Sequence, residues 1–127
     1  MARYGLGVLR SFTSRHFLVG GDFGPEGELH GHAYRAEVRL EGDELDEHGF
    51  LVNIVRVEEA LDTLVARYRD AVLNELPEFE GSNTGVEVFA RVLVEAMSGT
   101  LAGEGLTGIE VRLWESDEAW ASCRKEM

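Results

Sequence analysis

From Tyr34 to Glu41 apolar and polar residues alternate without a break, Tyr34, Ala36, Val38 and Leu40 being set against Arg35, Glu37, Arg39 and Glu41. A period of two is the pattern of a β-strand with one dry and one wet face. The stretch from Arg3 to Phe17 is rich in strand formers and predicts an earlier strand. Between the two lies Gly20-Gly21-Asp22-Phe23-Gly24-Pro25-Glu26-Gly27, dense enough in glycine and proline to be a loop. A second polar turn, Gly42 to Gly49, precedes Phe50-Leu51-Val52. From Asn53 the period changes. Ile54, Val57, Leu61, Leu64, Tyr68 and Val72 follow at three- and four-residue steps, predicting a long helix capped by Asn53 and ended by Pro77 and Gly81. Thr84-Gly85-Val86-Glu87 has the form of a capping box opening a second helix, whose buried stripe is Phe89, Leu93, Met97 and Leu101. After Gly103-Glu104-Gly105, Ile109, Val111 and Leu113 alternate with Glu110, Arg112 and Trp114. A turn near Ser116-Asp117-Glu118 then leads to a last strand, Ala119 to Arg124. The order strand, strand, helix, helix, strand, strand predicts an α+β fold: a four-stranded antiparallel sheet with two helices on one face.

With 127 residues the chain suffices for one domain, 1–127, with a real core. A net charge of −12 argues against nucleic acid or an anionic membrane as a partner, since both call for basic patches. No apolar stretch approaches the ~20 residues of a membrane span. A single cysteine, Cys123, rules out an intramolecular disulfide framework, and the first residues do not read as a signal peptide. The expected location is therefore cytoplasmic.

Candidate chemistry sits where the alternating strand begins. His30 and His32, in Glu28-Leu29-His30-Gly31-His32, are two residues apart. Residues i and i+2 of a strand share a face at about 6–7 Å, so two such imidazoles can hold one metal ion. His16, near the end of the preceding strand, is the natural third ligand. Three nitrogens with an open fourth position are the arrangement of catalytic rather than structural zinc. His48, in the acidic turn Asp46-Glu47-His48-Gly49, is expected at the surface.

With these elements and histidines, the chain resembles the 6-pyruvoyltetrahydropterin synthase family, which includes the 6-carboxytetrahydropterin synthases of queuosine biosynthesis. Four segments carry the resemblance: Ser11-Phe12-Thr13-Ser14-Arg15-His16, the His30-Gly31-His32 pair, Gly49-Phe50-Leu51-Val52-Asn53, and Val111-Arg112-Leu113-Trp114-Glu115-Ser116. It implies the tunnelling fold, in which subunit sheets join into an oligomeric barrel, as a homo-hexamer of two stacked trimers. It also implies Zn2+ on His16, His30 and His32, acting on the pterin 7,8-dihydroneopterin triphosphate. On the same basis Glu115 anchors the pterin ring by paired hydrogen bonds. Glu87 matches a second family glutamate, for which helix capping is an equally good explanation.

Two departures stand out. Glu26 occupies the place where most relatives carry a cysteine base. A subgroup with glutamate there cleaves the side chain to 6-hydroxymethyl-7,8-dihydropterin, a reaction that starts by taking a proton from oxygen. Glu28 is a second nearby carboxylate. The Asp-His proton relay of relatives is also incomplete: Tyr68-Arg69-Asp70-Ala71-Val72-Leu73-Asn74 offers Asp70 but no histidine. The segment from Pro77 to Glu87 is about two residues longer than in relatives, and Gly85 stands where a substrate-contacting threonine is common. Arg10 and Arg15 are candidate cations for a triphosphate. The expected function is a zinc-dependent pterin lyase giving a 6-pyruvoyl, 6-carboxy or 6-hydroxymethyl product. The alternative is a catalytically impaired pterin- and zinc-binding member serving as a binding or assembly subunit.

Overall fold

The computed structural model describes residues 2–127. Strands β1 (Tyr4–His16) and β2 (His30–Gly42) are followed by helices α1 (Ile54–Tyr68) and α2 (Val86–Thr100), then by β3 (Gly108–Trp114) and β4 (Trp120–Glu126). The sheet order is β1-β2-β3-β4, with every neighbouring pair antiparallel. This is the architecture that the alternation predicts.

The register explains the core. Val8 faces Val38 and Phe12 faces Tyr34 across the first pair, while Leu40, Val38 and Ala36 face Ile109, Val111 and Leu113 across the second. These side chains, on one side of the pleat, are buried together with Val57, Leu61 and Val65 of α1 and Phe89, Leu93 and Met97 of α2. Phe89 is the hub where helix, sheet and connecting turns meet. Its ring lies edge-on to Tyr34 at 5.2 Å, to Phe12 at 6.0 Å, to Phe79 at 5.6 Å and to Tyr68 at 5.1 Å.

Three expectations about the helices need correction. The first helix ends at Tyr68 rather than at Pro77. Asp70 takes the left-handed conformation, φ 58°, which stops the helix and turns the chain onto the free edge of β1. There Asp70 N donates to Thr13 O at 2.7 Å and Arg15 N to Ala71 O at 2.9 Å. Capping this exposed strand edge satisfies main-chain groups that a longer helix would leave unpaired. Val72 therefore lies off the helical stripe, and Val65 rather than Leu64 is its fully buried member, Ile54 being exposed. Asn53 does cap α1, accepting from Val55 N at 3.0 Å. The capping box of α2 does not form: Gly85 is the N-cap, with no side-chain cap bond, and Thr84 is turned into the protein.

Beyond α1, Leu73 and Phe79 are buried in two short 3-10 turns. Glu78 ties them back to the helix, accepting two hydrogen bonds from the Arg67 guanidinium at 2.6 and 2.7 Å and one from the Tyr68 hydroxyl at 2.7 Å. Arg67, more than Tyr68, holds the Glu78 carboxyl down at about 2. A depressed carboxylate contributes stability that is complete above its ordinary value of 4.5 and is lost as pH falls through about 2. Glu78→Gln should cost about 1 kcal/mol at pH 7, since solvent reaches the pair. In a series of urea melts the deficit should shrink steadily between pH 4.5 and 2.

Candidate metal centre

His16 is the last residue of β1 and lies directly opposite His30, the first residue of β2. His32 is two positions further along, on the same face of the pleat. The three rings form a compact triangle with centroids 4.6, 4.9 and 5.1 Å apart. It stands at the end of the sheet on the side that elsewhere forms the core, beside Tyr34.

Their hydrogen bonds decide which nitrogens are free. His16 Nδ1 donates to the Thr84 carbonyl at 2.7 Å and His30 Nδ1 to the Glu28 carbonyl at 2.7 Å. A carbonyl accepts only, so both Nδ1 atoms carry the proton, and His16 Nε2, with no acceptor beside it, presents a bare lone pair. His16 Nε2 is buried with no partner. His30 Nε2 and His32 Nε2 approach within 3.1 Å. An orphaned nitrogen beside two others at this distance is unfavourable unless a cation sits among them. Burial also lowers the pKa of His16, against the opposing pull of its Thr84 hydrogen bond, so the ring is held in the neutral form that metals bind.

Glu26 completes the group. Its Oε2 lies 2.9 Å from His30 Nε2, and one ligand atom from each of His16, Glu26, His30 and His32 falls within 4.8 Å of all the others. A short 3-10 turn, Gly24–Gly27, delivers it, with Gly24 at φ 60° where a side chain would be strained. Of the two neighbouring carboxylates it is thus Glu26 that faces the histidines, while Glu28 contributes its main-chain carbonyl. Three imidazoles with an open fourth position suit zinc, and Glu26 stands beside that position.

Glu115 follows β3, and its Oε2 lies 4.0 Å from His32 Nε2. The other sequence candidates stand apart. Glu87 is exposed on the first turn of α2 and outside the cluster of four. Asp70 also lies outside it: its Oδ1 accepts from the Thr13 hydroxyl at 2.6 Å, and Thr13 belongs to the face of β1 opposite His16. Arg10 is engaged by Asp62 at 2.7 Å and Glu58 at 3.0 Å, whereas Arg15 is exposed and lines a shallow cleft of about 320 Å3 with Asp70 and His32. His48 is at the surface. Residues that pattern reading missed are Thr84, Asn74 and Asn83, which bind His16 and the chain just after it. Thr84 has a helix-cap signature that conceals this role, and nothing in their spacing joins the asparagines to His16.

Fold and site together define an α+β protein with a three-histidine centre at one end of its sheet. The family model for 6-pyruvoyl tetrahydropterin synthase matches residues 6–126, and the chain belongs to that family. It is 28% identical over 134 residues to a Pyrococcus abyssi protein provisionally named 6-carboxy-5,6,7,8-tetrahydropterin synthase, covering 88% of this chain and 84% of the relative. It is 35% identical over 68 residues to the Bacillus subtilis 6-carboxy-5,6,7,8-tetrahydropterin synthase, covering 53% of this chain and 44% of that one. In fold it is similar to the Caenorhabditis elegans 6-pyruvoyl tetrahydropterin synthase, with a TM-score of 0.85 at 17% identity over 99% of this chain and 98% of that one. A catalytic-residue mutant of the Plasmodium vivax enzyme gives 0.84 at 15% identity over the full length of both chains.

Removing one imidazole tests the centre directly. Zn2+ measured by mass spectrometry after reconstitution and desalting should fall from about one per chain to under a tenth in His32→Ala. Normal loading of that variant would rule out the assignment.

Proposed function

We propose that the protein is a zinc-dependent lyase acting on 7,8-dihydroneopterin triphosphate or a close relative of it. The observation that carries this is the convergence of three imidazoles beside one carboxylate, Glu26, with a second carboxylate, Glu115, alongside. His16, His30 and His32 would hold the metal, which supplies Lewis-acid polarisation of a substrate hydroxyl when bound.

The remaining chemistry belongs to the chain. Glu26, on an exposed turn beside the histidines, is placed to take a proton from a substrate hydroxyl held there. Deprotonating oxygen is a lighter task for a carboxylate than deprotonating carbon, which favours cleavage of the side chain to a 6-hydroxymethyl product. A catalytic glutamate has a precedent in the family, since the mutated catalytic residue of the Plasmodium vivax enzyme is a glutamate. Glu115 is placed to accept the paired N–H donors of the pterin ring. The segment after α1 offers Asp70 but no histidine to complete the relay of relatives, and Asp70 lies outside the cluster of four. That observation favours a second reading, a family member that binds metal and pterin without turnover.

β1 and β4 form the two edges of the sheet, and residues 70–72 cover β1 only at its end. We infer that the remaining edges pair between copies, in a barrel of trimers stacked as a hexamer. Elution from a sizing column as a 14.1 kDa monomer would contradict this.

Zinc-loaded protein incubated without oxygen with 7,8-dihydroneopterin triphosphate should release a product whose mass identifies the remaining side chain. Glu26→Gln should lower turnover at least a hundredfold while keeping its zinc. Full activity of that variant would remove Glu26 from the mechanism. Ligand binding without turnover in the parent would favour either a changed substrate or the second reading.

A further inference from the structure

His32 lies inside β2, but His16 and His30 are the facing end residues of their strands, and after His16 the chain leaves the sheet. Strand ends fray, whereas a metal ligand must be held to a fraction of an ångström. Beyond His16 the main chain has no neighbouring strand, and two asparagine side chains take that place. Asn74 Oδ1 accepts from Phe17 N at 3.0 Å and Asn74 Nδ2 donates to Phe17 O at 2.9 Å. Asn83 does the same for Val19, at 3.1 and 2.9 Å. A carboxamide offers the donor and acceptor of a peptide unit, so each pair reproduces one rung of an antiparallel ladder.

Thr84 joins this clamp to the imidazole. Its carbonyl accepts from His16 Nδ1, and its hydroxyl lies 3.2 Å from the same nitrogen. The hydroxyl proton is shared between Phe17 O at 3.2 Å and Asn74 Oδ1 at 3.3 Å. Thr84 is only 1% exposed, so breaking these bonds would leave polar groups dry and unsatisfied.

We propose that Asn74, Asn83 and Thr84 are positioning residues for the metal, holding His16 Nε2 in place by fixing the main chain after the ring and the proton on its far nitrogen. This rests on the metal reading given above. The Nδ1 hydrogen bond selects the tautomer with a bare Nε2 and raises its basicity, and the two asparagines stop the strand end from peeling away. The hydroxyl that a capping box would direct to α2 is used here instead.

The test titrates Co2+ alone into the metal-free full-length chain, reading affinity by chelator competition and ligand geometry by the visible absorption of the ion. Thr84→Val keeps the shape of the side chain and removes its hydroxyl. It should weaken Co2+ about tenfold and alter the visible band, while Thr84→Ser restores both. Asn74→Asp, which turns an acceptor toward Phe17 O, should weaken Co2+ at least as much. If Thr84→Val does not fold, Asn74→Asp and Asn83→Asp are read in the same way. Variants with the parent's affinity and spectrum overturn the proposal. So does a drop in the metal-free melting temperature with Co2+ binding unchanged, which assigns the network to stability alone. A parent chain that takes up no Co2+ overturns the metal reading and this proposal with it, whereas a parent that binds beside variants that bind identically overturns the proposal alone.

Discussion

The antiparallel pairing of β1 with β2 runs through thirteen residues of each strand, from Tyr4 opposite Gly42 to His16 opposite His30. Along it Val8 meets Val38 and Phe12 meets Tyr34, so the register is specified by burial of one whole face. Slippage by one residue would send that face to solvent and carry the histidines with it. The triangle of imidazoles is therefore the polar end of an apolar zipper, and the energy that aligns it is mostly hydrophobic. Tyr34 packs beside it, and Phe12 and Phe89 pack on Tyr34, which ties the site to the rigid, close-packed core.

The site combines such rigidity with one exposed element. Three ligands come from paired strands, and the carboxylate comes from a glycine-rich turn at the surface. The two parts have different physical demands. Converging imidazoles must be held together by packing, whereas a carboxylate that exchanges protons has to move and meet solvent. The segment after α1 serves the strand edge instead: Asp70 turns left-handed, binds Thr13, and lets residues 70–72 run along β1. Placement there explains why Asp70 does not reach the cluster despite its nearness to Asn74 in sequence.

The two inner strands, the sheet side they bury and the shared face of His30 and His32 were legible because each rests on a period of two, and the outer strands from their strand-forming residues and the turn before the last one. Asn53 as a cap was legible for the same local reason, a side chain acting on its own helix. The end of α1 was not, because Tyr68, Val72 and Pro77 continue a plausible helical pattern. The competing gain, pairing with a strand more than fifty residues away, leaves no trace in local spacing. Thr84 misled in the same way: its capping signature is sound, but a buried imidazole, the Phe17 carbonyl and the Asn74 side chain engage its oxygens in place of the helix.

Alternation, glycine-rich turns and the His30-Gly31-His32 spacing by themselves determined an antiparallel α+β fold and the candidate ligands, since each is an interaction between near neighbours in the chain. Only the tertiary structure decided that Glu26 rather than Glu28 faces the histidines, that Asp70 turns to the other face, and that Asn74, Asn83 and Thr84 brace His16. Those outcomes depend on which distant groups remain unsatisfied once the core has closed, a competition settled in space rather than along the sequence.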